Sequence, residues 1–187
     1  MTAIRRARPQ DAFAIGSVHV AAWRDSYAGL LPDEYLANLS SQRIGAGYGQ
    51  GMLARREGEA IFVAETPEPA RRVVGFASAG PARRGRAGSR WGEGEVATLY
   101  VLSDYRDQGI GRRLLRASAA HLAAIGCASA MLWVLSDNHA RFFYRHLGGR
   151  PVARDLVHVG GRAVEQTAMV WDPIETLLDA TAVSSRG

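Results

Sequence analysis

Two glycines and an arginine set the chemistry of this chain. In the stretch EVATLYVLSDYRDQGIGRRLL, Glu95 to Leu115, Arg106, Gly109 and Gly111 stand where an apolar run gives way to a helical pattern. The first turn of a helix carries backbone N–H groups without intrahelical partners, and the macrodipole adds partial positive charge, so that turn attracts an anion. Glycine at 109 and 111 removes the Cβ atoms that would hold a phosphate away from those amides. Arg106, Arg112 and Arg113 bring formal positive charge to the same place. A diphosphate suits such a turn. A P-loop would put Lys and then Ser or Thr after the last glycine, whereas Arg112 and Arg113 follow Gly111. A dinucleotide fingerprint would hold three glycines tight against the strand end. Here there are two, and seven residues separate Val101 from Gly109.

The remaining spacing, Arg106-x-x-Gly109-x-Gly111, resembles the acyl-CoA signature [QR]-x-x-G-x-[GA] of the GCN5-related N-acetyltransferase (GNAT) family. Two further stretches resemble it. LWVLSDNHARFFYRHLGG, Leu132 to Gly149, is similar to the family's following strand and helix, with Asn138 and Tyr144 at the matching places. AAWRDSYAGLLPDEYL, Ala21 to Leu36, is similar to the entrance helices. The resemblance implies an α/β fold (an α+β mixed sheet): a central twisted, mostly antiparallel sheet in which two parallel strands splay apart, with helices on both faces. It further implies an acetyl-CoA cosubstrate, without a metal. Its pantetheine arm would pair with main-chain groups near Leu99 and Val101, and its phosphates would meet Arg106 and the amides of Gln108, Gly109, Gly111 and Arg112. Asn138 would bond the pantetheine amide or cap its own helix. Trp23, Arg24 and Tyr27 would roof the acceptor side.

Acetyl transfer needs a neutral amine and a protonated leaving thiolate. Holding a lysine-type amine of pKa about 10.4 neutral at pH 7 costs on the order of 4 to 5 kcal/mol, so a base is useful. Glu95, a carboxylate opening an apolar strand, is the leading base, with Glu93 its competitor. At about 3.3 Å per residue it stands roughly 13 Å from Leu99, so it would act through water. Tyr144 is the candidate acid; Phe142, Phe143 and Tyr144 also read as one packing cluster. The reading is an N-acetyltransferase acting on a primary amine by direct attack in a ternary complex. Its rival is a catalytically silent acyl-CoA-binding module of the same fold.

Positioning these residues takes alternating elements. Val96 to Leu102 and Ala128 to Leu135 read as buried strands, and Ile110, Leu114, Leu115, Leu122 and Ile125 share one arc of a helical wheel. Upstream, the pattern predicts a strand over Ala3–Arg8, a helix whose inner face holds Ala12, Ile15, His19, Ala22 and Trp23, and a short helix from Pro32 to Leu39. A Gly-rich helix between 40 and 57 rests on Ile44, Tyr48, Met52 and Leu53. Ala60–Thr66 and Arg72–Ala79 read as antiparallel strands, and Gly160-Gly161 as the turn of a type I′ hairpin between 152 and 171. One domain over 1–172 with a tail over 173–187 is expected.

Composition narrows the class. The 187 residues are 47% hydrophobic and 22% charged, ordinary for one globular domain. No apolar run reaches the roughly 18 residues of a membrane span, MTAIRRARPQ lacks the apolar core of a signal peptide, and a lone Cys127 suggests a cytoplasmic setting. The net charge of +5 owes much to Arg83, Arg84, Arg86 and Arg90 in one connection, without the aromatic interleaving of a nucleic-acid surface. Five scattered histidines give no metal spacing. The resemblance implies a small-molecule or peptide amine as partner, and a homodimer through the last strands is compatible with the pattern although no residue marks it.

Overall fold

The structure is a computed structural model, describing residues 1–54, 56–83 and 91–182. Among the described residues seven strands form one sheet: β1 (Ala3–Arg6), β2 (Ala60–Glu65), β3 (Val73–Pro81), β4 (Gly94–Val101), β5 (Ala130–Leu135), β6 (Arg150–Val159) and β7 (Arg162–Trp171). Their order across the sheet is β1-β2-β3-β4-β5-β7-β6, antiparallel throughout except for β4 beside β5. That one parallel pair follows from chain order. β4 leads into helix α4 (Ile110–Ala124), and only a crossover of this kind returns the chain in the same direction.

Helices cover both faces. On one lie α1 (Ala12–Ser26) and α3 (Ser41–Ala54), with the short α2 (Asp33–Ala37) between them. On the other lie α4, α5 (Ala140–His146) and α6 (Glu175–Ala180). The predicted arc of α4 is its buried side: Ile110, Leu114, Leu115 and Leu122 are fully sequestered, each contributing about 1.5–3 kcal/mol relative to exposure, while Ile125 just beyond the helix is exposed. The α1–α3 contact is closer than ordinary helix packing. A Cβ on Gly16 would sit 2.3 Å from Ser41 O and 2.7 Å from Gly45 N, so the two helix backbones approach each other closely at Gly16 and Gly45. Gly45 of α3, unfavourable for a helix by propensity, is what lets it lie there, since a Cβ on it would sit 2.8 Å from Ala12 O.

Past residue 172 the chain does not fray at once. Ile174 and Leu177 are buried in the core, and α6 is pinned by Arg116 donating to Leu178 O at 2.7 Å and Arg112 donating to Ala180 O at 2.7 Å. The packed structure thus reaches Thr181, whose hydroxyl bonds Leu177 O.

Candidate active site

β4 and β5 are hydrogen-bonded neighbours at two residue pairs only, Gly94 with Ala130 and Glu95 with Met131. Beyond these the strands part, although each runs several residues further. The Leu102 N–H bonds Val74 O on β3, so by two-residue alternation the N–H and C=O groups of Leu99 and Val101 face the opened side. A cavity of about 780 Å³ fills this gap. It runs from the start of α4, past β4 and the Tyr27 loop, to Asn138 and Tyr144.

At its mouth Gly109 is the N-cap of α4, at φ +71°, a left-handed conformation that favours glycine, and no side chain caps the turn. A Cβ on Gly111 would meet nothing nearer than Phe143 Cζ at 3.9 Å. The turn's amides therefore open onto the cavity with space for a ligand group. Tyr144 closes the inner end. It is 7% exposed, packed edge-on to Trp171 (84°), and burial raises its hydroxyl well above the usual phenol range, so it stays protonated.

β4 carries a bulge. Val96 pairs with Ala79 and Thr98 with Ser78, leaving Ala97 without a partner on β3. The extra residue reverses the alternation of side chains. Val96, Leu99 and Val101 all face α4, whereas Glu95, Thr98 and Tyr100 face α1 and α3. On that second face the Thr98 and Ser78 hydroxyls lie 2.7 Å apart, Thr98 approaches Tyr48, and the Tyr48 hydroxyl meets His19 Nδ1 at 3.0 Å. Burial pushes Tyr48 up to about 12 and His19 down to about 4, so at neutral pH this chain of groups is uncharged.

The family model of the acetyltransferase (GNAT) domain matches residues 57–148. An uncharacterized N-acetyltransferase of Bacillus subtilis, YuaI, is 30% identical over 177 residues, 95% of this chain and 96% of its own length. The chain belongs to the GNAT family. A probable N-acetyltransferase of Mycobacterium tuberculosis is 29% identical over 79% of this chain and 81% of its own. Among solved structures, a putative acetyltransferase of Salmonella typhimurium, yncA, with its cofactor acetyl-CoA, superposes with a TM-score of 0.66 at 22% identity, covering 100% of this chain and 99% of that one.

Within this GNAT fold the residues singled out from sequence separate into groups. Leu99, Val101, Arg106, Gly109, Gly111, Arg112, Asn138, Tyr144 and Tyr27 line the one cavity. Asn138 caps its turn, its Oδ1 accepting from Ala140 N–H at 2.8 Å, and its side chain also approaches the Tyr27 hydroxyl. Arg106 is engaged at the mouth: it pairs with Asp25 at 2.6 Å and donates to Ser26 Oγ at 3.0 Å, tying α1 to the turn before α4. Gln108 is exposed, donating to Asp104 O. Arg24 points elsewhere, its guanidinium satisfying the carbonyls of Leu36, Ala37 and Leu39 at the end of α2. Trp23 stacks on His19 and meets Tyr27 edge-on behind the cavity wall; its Nε1 is the one buried side-chain donor among the described residues without a partner.

Glu95 is 6% exposed and faces away from this cavity, ion-paired to Arg83 at 2.7 Å. Glu93, its rival, accepts from the Ala128 N–H at 2.6 Å at the start of the following segment. Arg84, Arg86 and Arg90 lie outside the described residues. Sequence reasoning passed over Thr98, Tyr48, Tyr100 and Arg83. Thr98 and Tyr100 share a face only through the one-residue bulge, which cannot be seen without the register of β3 against β4, and Tyr48 and Arg83 are brought to that face from α3 and from the segment after β3.

Proposed function

We propose that the chain transfers an acetyl group from acetyl-CoA to a primary amine by direct attack in a ternary complex. The observation that carries this is the seam between β4 and β5, closed for two residue pairs and then open along a cavity that begins at an uncapped glycine turn and ends at Tyr144. Acetyl-CoA suits this shape. Its diphosphate would accept from the amides at 110–112, and its arm would take the place of the missing strand along Leu99 and Val101, a form of strand addition. The Salmonella neighbour solved with acetyl-CoA supports the same reading.

In the reaction the amine nitrogen bonds the acetyl carbonyl carbon as the C–S bond breaks, the sulfur leaving as thiolate and the nitrogen giving up a proton. Tyr144 supplies a proton or a hydrogen bond to the departing sulfur, which its burial-raised hydroxyl retains at neutral pH. Glu95, at the closed end of the seam two residues from the bulge, takes the amine proton, directly or through water. Among the described residues no three His, Cys, Asp or Glu side chains gather as a metal site would need.

Calorimetric titration with CoA and acetyl-CoA, followed by thiol detection of CoA release over an amine panel, tests the proposal. Micromolar binding with release that depends on the amine is expected. Binding without release by any amine would favour the silent acyl-CoA-binding module instead.

A further inference from the structure

A second cavity, of about 720 Å³, lies at the other end of β4. It is bounded by α3, the start of β2 and the end of β3, and it shares Ala97, the bulge residue, with the first. Tyr48, Ser78 and Glu95 face into it, beside an apolar wall of Met52, Ile61 and Ile125. Nothing in the cleft described above occupies it, yet it reaches the bulge from the face that carries the base.

Its ion pair is lopsided. Glu95 accepts from the Arg83 main-chain N–H at 3.2 Å, from Nε at 3.2 Å and from Nη2 at 2.7 Å. The Glu95 side chain is 7% exposed and that of Arg83 75%. The carboxylate belongs to the interior; the guanidinium reaches in from water. An acceptor ammonium approaching the base must therefore take the position that Arg83 now holds. The remaining charges are committed: Arg56 pairs with Glu59 at 3.8 Å, and Arg6 donates to Glu59 O. Against three arginines the described lining has two carboxylates, Glu59 and Glu95, which leaves none for the second charge of a polycation. Displaced Arg83, its side chain 75% exposed, is free to take a new anion at the cavity mouth. A carboxylate on the carbon next to the amine supplies it, in the bidentate geometry a guanidinium prefers.

We propose that this second cavity takes the acceptor, and that the acceptor is a compact zwitterion, an amine with a neighbouring carboxylate and an apolar side chain, its ammonium on Glu95 and its carboxylate on Arg83. This rests on Glu95 being the base in the proposed reaction. Arg83 is then a residue that determines specificity, and apolar size is read by Met52, Ile61 and Ile125.

The test compares apolar α-amino acids, the same amines without the carboxylate, and polyamines, as acceptors with acetyl-CoA and as ligands of the CoA-bound protein by calorimetry, in the native chain, Arg83→Ala and Arg83→Lys. The amino acid should exceed its decarboxylated counterpart at least tenfold in kcat/KM. Arg83→Ala should erase that preference through KM, and Arg83→Lys should restore part of it. Equal or better use of decarboxylated amines or polyamines, or a preference that survives Arg83→Ala, would overturn the proposal. Amino-acid binding that needs Arg83 but never leads to CoA release would keep the site and refute the transferase reading; release without such binding would do the reverse.

Discussion

Replacing His19 should make the protein less sensitive to mild acid. The ring is stacked on Trp23 at 5.1 Å, near Phe76 and Tyr100, and bonded through Nδ1 to Tyr48. Burial lowers its pKa to about 4 from an ordinary 6.5. The sign follows: between those values the unfolded chain binds the proton and the folded one does not, so stability is whole above pH 6.5 and drains as pH falls toward 4. At pH 5 the two values give about 2 kcal/mol lost relative to pH 7. Asp11, whose carboxyl is held below its usual range by its hydrogen bonds to Arg5, loses its contribution only at lower pH, so the windows separate. Urea unfolding followed by tryptophan fluorescence at pH 7 and pH 5 should show this loss in the native chain. In His19→Gln, which keeps a polar contact for Tyr48 without titrating, most of it should vanish. An equal loss in both proteins would refute the assignment of a neutral, buried His19.

Three other outcomes are expected. Gly111→Asp, placing a carboxylate where a Cβ finds open space, should leave the melting temperature nearly unchanged and weaken CoA binding at least tenfold; unchanged affinity by calorimetry would remove the phosphate-turn assignment. Tyr144→Phe keeps the edge-on contact with Trp171 and should lower kcat by a factor of about 10² with stability within about 1 kcal/mol, whereas full turnover would remove Tyr144 from the chemistry. Gly16→Ala, whose Cβ would fall 2.3 Å from Ser41 O, should cost about 1–3 kcal/mol in urea unfolding, and an unmoved midpoint would contradict the close helix contact.

How far these features could be read in advance depended on whether they were local. The apolar arc of α4, the two glycines at its start and the Gly160-Gly161 turn are contained in a few consecutive residues, and each reappears in the structure, the hairpin glycines at φ +57° and +81°. The Gly-rich α3 read faintly because its reason for existing is on another element, the backbone of α1. Arg24 and Arg106 illustrate the same limit. Type and position put both near the cleft, but their hydrogen-bond partners, at the end of α2 and of α1, are fixed by tertiary approach. The ion pair of Arg83 with Glu95 spans twelve residues and a change of strand, and no periodicity announces it.

The unpaired Ala97 also sets which mutations this strand can bear. Side chains before it and after it obey opposite alternations, so removing one residue there would send Glu95 toward the leucines of α4 and bring Val96 up beside Tyr48. Point changes along β4 are therefore graded in their effect, while a single codon lost or gained would turn half the strand inside out. Lineages carrying this sheet should vary freely in loop length on either side and keep the count between Gly94 and Val101 constant.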